Sequence, residues 1–398
     1  MKQEKNNKFW FILGNFPLIS ASEIEAVFGL ADSEITCQPP LLIANLPNFE
    51  PDSAIKRLAG TIKIGQEICE NLTEDELVNR VVDELRIINS KIIFGLSYYG
   101  VGGRGDAAFF VGSLGKRIKQ TLKESGASVR HVFNREAVLS SVTVSKNGLD
   151  TKGKGREFLI VKQGNKFSLA LTSAVQPFEE WGGRDFGRPG RDDLSGMLPP
   201  KLARMMINLS DADLDGTLLD PFCGSGTIIN EAALIGYKNI IGSDISEKAV
   251  EDSRKNFEWL KEQNIIQSLP EVRFIHSSIS DLLSHISENE IDAIVAEPYL
   301  GKPLKGNESE QFLREQIDEL KKLYLETFSA FKKLLKKGGT IIFIIPCFKI
   351  GNKWLPVDCI DEIKKIGFVS EPFFQNNEFL LYARADQKVG REIWRFKC

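Results

Sequence analysis

From about residue 201 onward, the sequence alternates regularly between short apolar strands and helices, which restricts the fold more than any other feature. Five segments are apolar on both faces, as strands are when helices cover both sides of a parallel sheet. They span residues 217–222, 239–245, 272–279, 291–299 and 340–348. Helical patterns surround them at 201–209, 227–236, 247–263, near 280–286 and at 311–338. This order predicts an α/β fold with a doubly wound parallel sheet, which binds ligands where its strands end.

The first half of the chain mixes strands and helices less regularly and predicts an α+β region. The predicted strands are 9–14, 41–46, 61–68, 91–100, 138–149, 156–165 and 166–175. The predicted helices are 22–29, 53–60, 73–88 and 115–126. At the other end of the chain, segments 368–374 and 379–385 predict a closing hairpin.

Local signals support some of these boundaries. Ser20 with Glu23, and Thr73 with Glu76, have the spacing of a capping box at the start of a helix. The dipeptide 164–165, Gly-Asn, predicts a two-residue turn that joins the last two strands of the region into a hairpin.

Charge is distributed unevenly along the chain. Residues 86–166 hold 15 Lys or Arg and 5 Asp or Glu, a net charge of +10 in a chain whose total is −3. Such a basic segment, with glycines and the pair Tyr98-Tyr99 among its charges, favours a nucleic-acid-binding module. The alternative is an ordinary solvated face of the protein.

Composition argues against several other classes of protein. The six cysteines form no CxxC pair, so neither a zinc site nor a disulfide framework is expected, and no metal is predicted. The apolar run at residues 9–13 is too short for a signal peptide, and no stretch is long enough to span a bilayer. We therefore expect a soluble, cytoplasmic protein without a membrane partner.

The turn after the first strand of the α/β half contains the first candidate binding site. Asp220 ends that strand, and Gly224 and Gly226 allow a tight turn before a helix whose first N–H groups lack partners. Ile229 occupies the place of the third glycine of a nicotinamide fingerprint, so a pyrophosphate is disfavoured. Asp244 follows 24 residues after Asp220 at the end of the second strand, where an acid accepts ribose hydroxyls.

A ribose held without a pyrophosphate indicates S-adenosylmethionine as the cofactor, with Asp220 facing its methionine ammonium. The other cofactor-binding candidates are Phe222, Thr227, Ile245, Ser278 and Asp281. Ser278 and Asp281 follow the third strand, where either can receive the adenine amine or can simply cap a helix. The plain alternative for the first turn is a strand-to-helix connection capped by Asp220.

Three motifs then connect the chain to a known family. DPFCGSGT (220–227), GSDIS (242–246) and AEPYLG (296–301) stand at the ends of strands one, two and four. Together they resemble class I S-adenosylmethionine-dependent methyltransferases, whose sheet is Rossmann-like. More narrowly, the chain resembles the THUMP-domain tRNA guanine-N2 methyltransferases that modify guanosine 10. The likeness covers nearly the whole chain and includes GMLPPKLAR (196–204) and YARADQKVGREIW (382–394).

The resemblance implies a division into four parts. These are a ferredoxin-like α+β domain at 1–70, a THUMP RNA-binding domain at 71–175, a linker at 176–200 and the methyltransferase domain at 201–398. Within the linker, the residues that could close over the methionine end of the cofactor or over the tRNA backbone are Arg184, Asp185, Arg188 and Arg191.

A THUMP domain implies tRNA as the partner, held at its acceptor end. The candidates for phosphate contacts are Lys116, Arg117, Lys119, Lys123, Arg130, Lys152, Lys154 and Arg156. Lys302 and Lys305, after the AEPYLG motif, could hold phosphates near the target base or could be exposed loop lysines. Contacts of this kind give affinity without reading sequence.

The catalytic candidates are Glu297, Pro298 and Tyr299, and here the chain departs from the family pattern. Members that methylate N2 of guanine carry Asp-Pro-Pro-Tyr, whereas this chain has Ala296 in the place of the acid and Glu297 in that of the first proline. An exocyclic amine needs hydrogen-bond acceptors that direct its lone pair at the methyl group. Glu297 can supply one, a rigid proline suits a backbone carbonyl, and Tyr299 can stack on a flipped-out guanine. Otherwise Glu297 is a solvated turn residue of an inactive site.

The resemblance implies an enzyme that methylates N2 of a tRNA guanosine, most specifically at position 10. Three alternatives stay open: another guanosine of tRNA or ribosomal RNA, a non-catalytic tRNA-binding platform, and a DNA amino-methyltransferase. A small activator protein is a further partner that the related eukaryotic enzymes suggest.

Overall fold

The structure is a computed structural model, and it describes residues 7–100, 104–150, 154–190, 197–306, 308–351 and 353–398. The chain forms two compact units. The N-terminal unit comprises the residues up to Ala21 together with Ala31–Phe178. The C-terminal unit comprises Ser22–Leu30 together with Glu179–Cys398.

One eight-stranded sheet forms the centre of the N-terminal unit. Its strands are β1 (Lys8–Leu13), β2 (Ile35–Gln38), β3 (Leu41–Asn45), β4 (Thr61–Leu72), β5 (Ile92–Tyr99), β6 (Val129–Val132), β7 (Gly155–Gln163) and β8 (Lys166–Val175). Their order in space is β2-β3-β1-β4-β8-β7-β5-β6, and β5 runs parallel to both of its neighbours. The helices of this half are α1 (Pro17–Phe28), α2 (Pro51–Arg57), α3 (Glu74–Arg86), α4 (Arg104–Glu124) and α5 (Ser141–Lys146).

Helices α3 and α4 pack on this sheet through apolar residues that recur at helical spacing. The shared core includes Leu77, Val81, Leu85, Leu114, Ile118, Leu122, Phe94, Phe158 and Ile160. The two helices and the second half of the sheet therefore share one apolar core.

One of the two predicted capping boxes is confirmed. The backbone N of Thr73 donates to Glu76 Oε2 at 2.7 Å, and the N of Glu76 donates to Thr73 Oγ1 at 3.3 Å. The prediction for Ser20 is wrong, because α1 already begins at Pro17, whose fixed φ suits a first helical position. Ser20 lies inside the helix, where its hydroxyl donates to the carbonyl of Gly60 at 3.0 Å.

The predicted strand at 138–149 is also wrong, since α5 occupies its centre. The Ser140 hydroxyl accepts a hydrogen bond from the N of Thr143 at 3.2 Å. This N-cap outweighs the strand propensity of the β-branched residues that follow. The tight turn at 164–165 is confirmed, because Gln163 pairs with Lys166 directly across it.

The predicted boundary between a first and a second domain at residue 70 stays a prediction. Strand β4 runs from Thr61 to Leu72 through that position, and strands on both sides of it join one sheet.

A nine-stranded sheet forms the centre of the C-terminal unit. Its strands are β9 (Thr217–Asp220), β10 (Asn239–Asp244), β11 (Glu271–His276), β12 (Ile291–Ala296), β13 (Leu335–Ile350), β14 (Lys353–Pro356), β15 (Val369–Ser370), β16 (Phe379–Tyr382) and β17 (Val389–Lys397). The main order is β11-β10-β9-β12-β13-β17-β15, with β14 beside β13 and β16 beside β17. The helices of this half are α6 (Phe178–Phe186), α7 (Pro200–Leu209), α8 (Thr227–Ile235), α9 (Glu247–Glu262), α10 (Glu310–Leu334) and α11 (Ile360–Ile366).

The strand order reverses at β9, and this reversal positions the site. Strands β9 to β13 are mutually parallel along the order β11-β10-β9-β12-β13. The chain builds outward from β9 to β11 and then crosses to β12 on the other side of β9. A crevice at the carboxyl ends of β9 and β12 is therefore expected to bind the ligand. The predicted α/β fold with a parallel sheet is confirmed.

The predicted closing hairpin has the wrong partners. Strand β16 pairs with β17, with Phe379 opposite Trp394, while β15 pairs with β17 as well. Strand β17 also runs antiparallel to β13 along its whole length, so the chain ends inside the sheet. No helix of the described ranges is long and apolar enough to cross a membrane.

A buried ion pair in the N-terminal unit makes a testable prediction. Lys63 Nζ donates to Glu157 Oε1 at 2.5 Å, and Ser97 and Thr172 also donate to the Glu157 carboxylate. The two charged side chains are 1% and 0% exposed. Replacing Lys63 by Met leaves the carboxylate without its counter-ion, so we expect K63M to lower the free energy of unfolding by about 3–5 kcal/mol.

Urea unfolding followed by circular dichroism measures that change. The matched control is Arg86→Gln, which removes an exposed ion pair with Asp83 in the same unit and should cost about 0.5 kcal/mol or less. The double variant K63M/E157Q should recover part of the loss. Equal stability of K63M and R86Q would contradict the prediction.

Candidate active site

Three acidic residues stand where neighbouring parallel strands end. Strand β9 ends at Asp220, β10 ends at Asp244, and Glu297 follows the last residue of β12. Burial raises the pKa of Asp220 well above its usual range, and the nearby charges of Asp244 and Glu297 raise it further. The fold thus brings together three residues that the sequence places far apart.

The loop between β9 and α8 is shaped by its two glycines. Gly226 has φ +82°, and a Cβ at this position would lie 2.3 Å from Ser253 Oγ, so no other residue fits. Gly224 has φ +49°, but a Cβ there would meet no atom within 4 Å. The backbone of the loop therefore borders open space at Gly224, where a ligand can approach it closely.

Asp244 connects this loop to β10. Its Oδ2 accepts a hydrogen bond from the N of Gly224 at 3.0 Å, and its Oδ1 accepts one from the N of Ser246 at 2.9 Å. Each carboxylate oxygen can still accept another bond, as ribose hydroxyls require. The next residue, Ile245, is 74% exposed and offers apolar surface on which an adenine ring can lie.

The two adenine candidates after β11 lie together. Ser278 Oγ donates to Asp281 Oδ2 at 2.6 Å, and the N of Asp281 donates back to Ser278 Oγ at 3.3 Å. Asp281 precedes a 3-10 helix at Leu282–Ser284, but its side chain makes no capping hydrogen bond. Since the Asp281 carboxylate is exposed, it can accept a ligand amine.

Glu297 is not a solvated turn residue. Its side chain is 13% exposed, and its Oε1 accepts a hydrogen bond from Arg391 Nε at 2.5 Å. Burial raises the pKa of Glu297, and the Arg391 charge opposes that rise. The carboxylate is therefore held in place by a residue of β17.

The rest of the motif provides a rigid turn and an exposed ring. Pro298 is buried, whereas the Tyr299 side chain is 54% exposed. Tyr324 of α10 donates its hydroxyl to the carbonyl of Tyr299 at 2.7 Å and so fixes the backbone of the turn. The N of Lys302 donates to Gln316 Oε1 at 2.8 Å, while the Lys302 side chain is exposed.

The two arginines of the predicted linker that the structure describes contact α8. Arg184 Nε donates to Glu231 Oε1 at 2.8 Å, and Arg188 Nη1 donates to Thr227 Oγ1 at 2.5 Å. Both side chains are buried. Arg188 therefore reaches the first turn of α8, beside the glycine loop, and Arg191 lies outside the described residues.

Asn256 of α9 ties the same linker to the glycine loop. The N of Gly190 donates to Asn256 Oδ1 at 2.7 Å, and Asn256 Nδ2 donates to the carbonyl of Ser225 at 2.8 Å. A fully buried side chain thus fixes two segments beside the predicted cofactor site.

The predicted RNA-binding residues of the N-terminal unit differ in how free their charges are. Lys116, Lys123 and Lys154 are exposed. Arg117 instead donates to Glu74 at 2.5 Å and to Asp75 at 2.6 Å, so its charge is largely neutralised.

The remaining candidates divide in the same way. Arg130 is exposed and donates to Asn147 Oδ1 at 2.9 Å, and Arg156 donates to the carbonyl of Gly155 at 2.7 Å. Lys119 is half-buried on α4. Lys152 lies outside the described residues.

Sequence reasoning missed three residues that shape these surfaces. Phe109 and Phe133 of the N-terminal unit are 79% and 48% exposed, and their aromatic character among basic residues was a readable signal. Arg391 had no such signal, because it lies 94 positions from Glu297. Only the pairing of β13 with β17 brings it to the site.

Comparison with protein families gives two matches. A family model described as an RMKL-like methyltransferase domain matches residues 188–353. A second model, described as a DNA methylase, matches residues 119–255.

Two named relatives are similar over part of the chain. A tRNA (guanine(10)-N2)-dimethyltransferase of Methanothermobacter thermautotrophicus is 36% identical over 125 residues, which are 31% of this chain and 34% of that protein. A probable tRNA (guanine(10)-N2)-dimethyltransferase of Methanothermococcus thermolithotrophicus is 33% identical over 146 residues, which are 36% of this chain and 78% of that protein. The match thus spans only about a third of the first relative's length.

A likeness of fold extends over the whole chain. The crystal structure of TrmN from Thermus thermophilus matches 98% of this chain and 99% of its own, with a TM-score of 0.55 and 16% identity. At this identity the match concerns the fold alone.

The strand ends fit S-adenosylmethionine, the cofactor of such methyltransferases. Gly224 borders open space, Asp244 offers carboxylate oxygens, and Ile245 exposes apolar surface, in agreement with the needs of a loop contact, a ribose and an adenine. Across the ranges that the structure describes, no three His, Cys, Asp or Glu lie so that they could hold a metal ion.

Asp244→Asn tests this fit. An amide nitrogen cannot accept the second backbone N–H bond or a ribose hydroxyl, and losing charge-assisted hydrogen bonds of this kind costs about 1.5–3 kcal/mol. We therefore expect D244N to bind S-adenosylhomocysteine roughly 10- to 100-fold more weakly in isothermal titration calorimetry. The control is D215N, since Asp215 is exposed and pairs with Lys238. Unchanged affinity of a folded D244N would contradict the assignment.

Proposed function

The chain belongs to the tRNA (guanine(10)-N2)-dimethyltransferase family, and on that premise we propose that it methylates the exocyclic N2 of a tRNA guanosine from S-adenosylmethionine. Position 10 is the specific target proposed. One observation carries the proposal: a buried, counter-ion-held carboxylate, Glu297, follows β12 at the strand edge that also bears Asp220 and Asp244.

The chemistry requires help because the lone pair of a guanine amine is delocalised into the ring. The free oxygen of Glu297, Oε2, accepts a hydrogen bond from N2, and the carbonyl of Pro298 accepts a second. These two bonds orient the nitrogen lone pair, which is catalysis by positioning. The exposed ring of Tyr299 stacks on the flipped-out base.

Charge moves onto the base during the reaction. S-adenosylmethionine, when bound, supplies an electrophilic methyl: the N–C bond forms as the C–S bond breaks, and the bonding electrons stay on sulfur. The ionised Glu297 carboxylate stabilises the positive charge that N2 acquires. Its Oε2 then accepts the proton that N2 loses, which completes the transfer.

The cofactor residues act as binding groups. Asp244 accepts the ribose hydroxyls, Ile245 packs on the adenine, and Asp281 with Ser278 accepts the adenine amine. Asp220 faces the methionine ammonium, and an approaching cation favours its ionised form because it counters the nearby like charges.

The N-terminal unit binds the tRNA in this proposal. Its exposed lysines, Lys116, Lys123 and Lys154, contact phosphates, and Phe109 and Phe133 offer rings for unpaired bases. Because the substrate is tRNA, we place the protein in the cytoplasm. A small activator protein stays a proposal that transfer assays with and without cell extract would test.

The central test uses purified protein and an unmodified tRNA transcript. We expect methyl transfer from labelled S-adenosylmethionine, with N2-methylguanosine mapped to position 10 by nuclease digestion and mass spectrometry. A transcript with adenosine at position 10 should accept no methyl group. E297A should lose transfer by roughly 100-fold or more while it still binds S-adenosylhomocysteine, because truncation removes an oriented charge.

Other outcomes identify the alternatives. Methylation of another guanosine would keep the chemistry and change the target. An inactive wild type that binds both tRNA and S-adenosylhomocysteine would indicate a non-catalytic platform. Transfer to duplex DNA in preference to tRNA would favour a DNA amino-methyltransferase, to which the family match at residues 119–255 points.

A further inference from the structure

We propose that Arg391 is a positioning residue for methyl transfer: its guanidinium binds Oε1 of Glu297 and leaves Oε2 directed at the guanine amine. This inference rests on the function proposed above. It also explains how an acid placed one residue later than in the family pattern can serve the same reaction.

The geometry begins with the sheet. Arg391 lies on β17 opposite Pro346 of β13, and β13 separates β17 from β12. Strands two places apart are separated by about 9–10 Å. Glu297 and Arg391 span this distance with long side chains that meet at 2.5 Å, and both are almost fully buried, at 13% and 14% exposure. An aspartate at position 297 would be one methylene shorter.

The position of the acid follows from the core. Ala296 is fully buried in the apolar cluster that also contains Leu219, Ile294 and Phe343. A carboxylate at position 296 would have to enter this cluster, where an unpaired charge is costly. The acid at position 297 instead lies just beyond the strand, within reach of Arg391.

The counter-ion is needed because of what surrounds Glu297. Asp220 faces it from the end of β9, and Tyr324 faces it from α10, so both nearby titratable groups are neutral or negative. Arg391 is the cation opposite them, and a guanidinium stays charged at all working pH values. Without it, burial and the Asp220 charge would keep a proton on Glu297. A protonated Glu297 cannot take the N2 proton.

The form of the pair suits a positioning role. Among the described residues, the hydrogen bond between these side chains joins Arg391 Nε to Oε1 of Glu297. A carboxylate held at one oxygen keeps the lone pairs of the other oxygen for the substrate. The pair therefore fixes the direction of Oε2 and keeps the carboxylate ionised.

Single-turnover methylation of the tRNA transcript between pH 5.5 and 9.5 tests the inference. In R391M the acid limb of the rate profile should move up by about one to three pH units, because an opposite charge of this kind shifts a carboxyl pKa by that amount. The rate at pH 7 should fall at least about tenfold and should recover toward pH 9. The affinity for S-adenosylhomocysteine should not change. R391K, which keeps a charge, should restore much of the rate at pH 7.

Arg395 provides a matched control on the same strand. It lies four residues further along β17 and faces Glu371, with 3.7 Å between Nε and Oε2. R395M therefore removes a partly buried cation of β17 outside the active site, and its acid limb should coincide with that of the wild type. A uniform loss of rate in R391M without a pH shift, or an equal shift in R395M, would overturn the proposal.

A second readout needs neither cofactor nor tRNA. The pKa of Glu297 in folded R391M is raised further above its unfolded value, so the folded state binds more protons between the two values. The melting temperature of R391M relative to wild type should therefore fall as pH rises through that window. R391M/E297Q should lose this pH dependence, and its persistence would overturn the proposal. If the wild type transfers no methyl group but the melting data behave as expected, the proposed function fails and the ion pair stands.

Discussion

Three carboxylates at one edge of a parallel sheet repel one another, and the C-terminal unit gives each of them a different partner. Asp244 is held by two backbone N–H groups, at the glycine loop and at the start of α9. Glu297 is held by Arg391. Asp220 keeps only a backbone hydrogen bond from Phe222, and burial with its two acidic neighbours raises its pKa. An ammonium group is the kind of ligand that this last position favours.

This arrangement links the fold to the reaction. The reversal of strand order at β9 places the glycine loop and the end of β12 on either side of one crevice. The antiparallel return of β17 along β13 then supplies the cation that the buried Glu297 needs. A simple parallel sheet without this return would leave that carboxylate without its counter-ion.

Much of this architecture was predictable because its signals are local. Apolar runs bounded by glycine predicted β9, β10 and β12, and the spacing from Asp220 to Asp244 predicted a ribose site. The errors also have local causes. Pro17 starts α1 ahead of the Ser20 signal, and the N-cap at Ser140 turns a β-branched segment into α5.

What could not be predicted depends on contacts between distant parts of the chain. Glu297 looked like either an active acid or a solvated turn residue, and only its burial against Arg391 distinguishes the two. Likewise, Arg117 belongs to a basic segment, yet the start of α3 neutralises it. Single-sequence patterns report the face on which a residue lies, whereas the partner it meets there depends on strand order.

A crystal structure of the protein with S-adenosylhomocysteine tests the central claim most directly, because the claim concerns where the ligand lies relative to three named carboxylates. The account predicts ribose hydroxyls on Asp244, the amino group beside Asp220, and the sulfur facing the crevice into which Glu297 Oε2 points, with Arg391 still on Oε1. A ligand bound away from the ends of β9 and β10, or a Glu297 side chain turned out of the crevice, would contradict it.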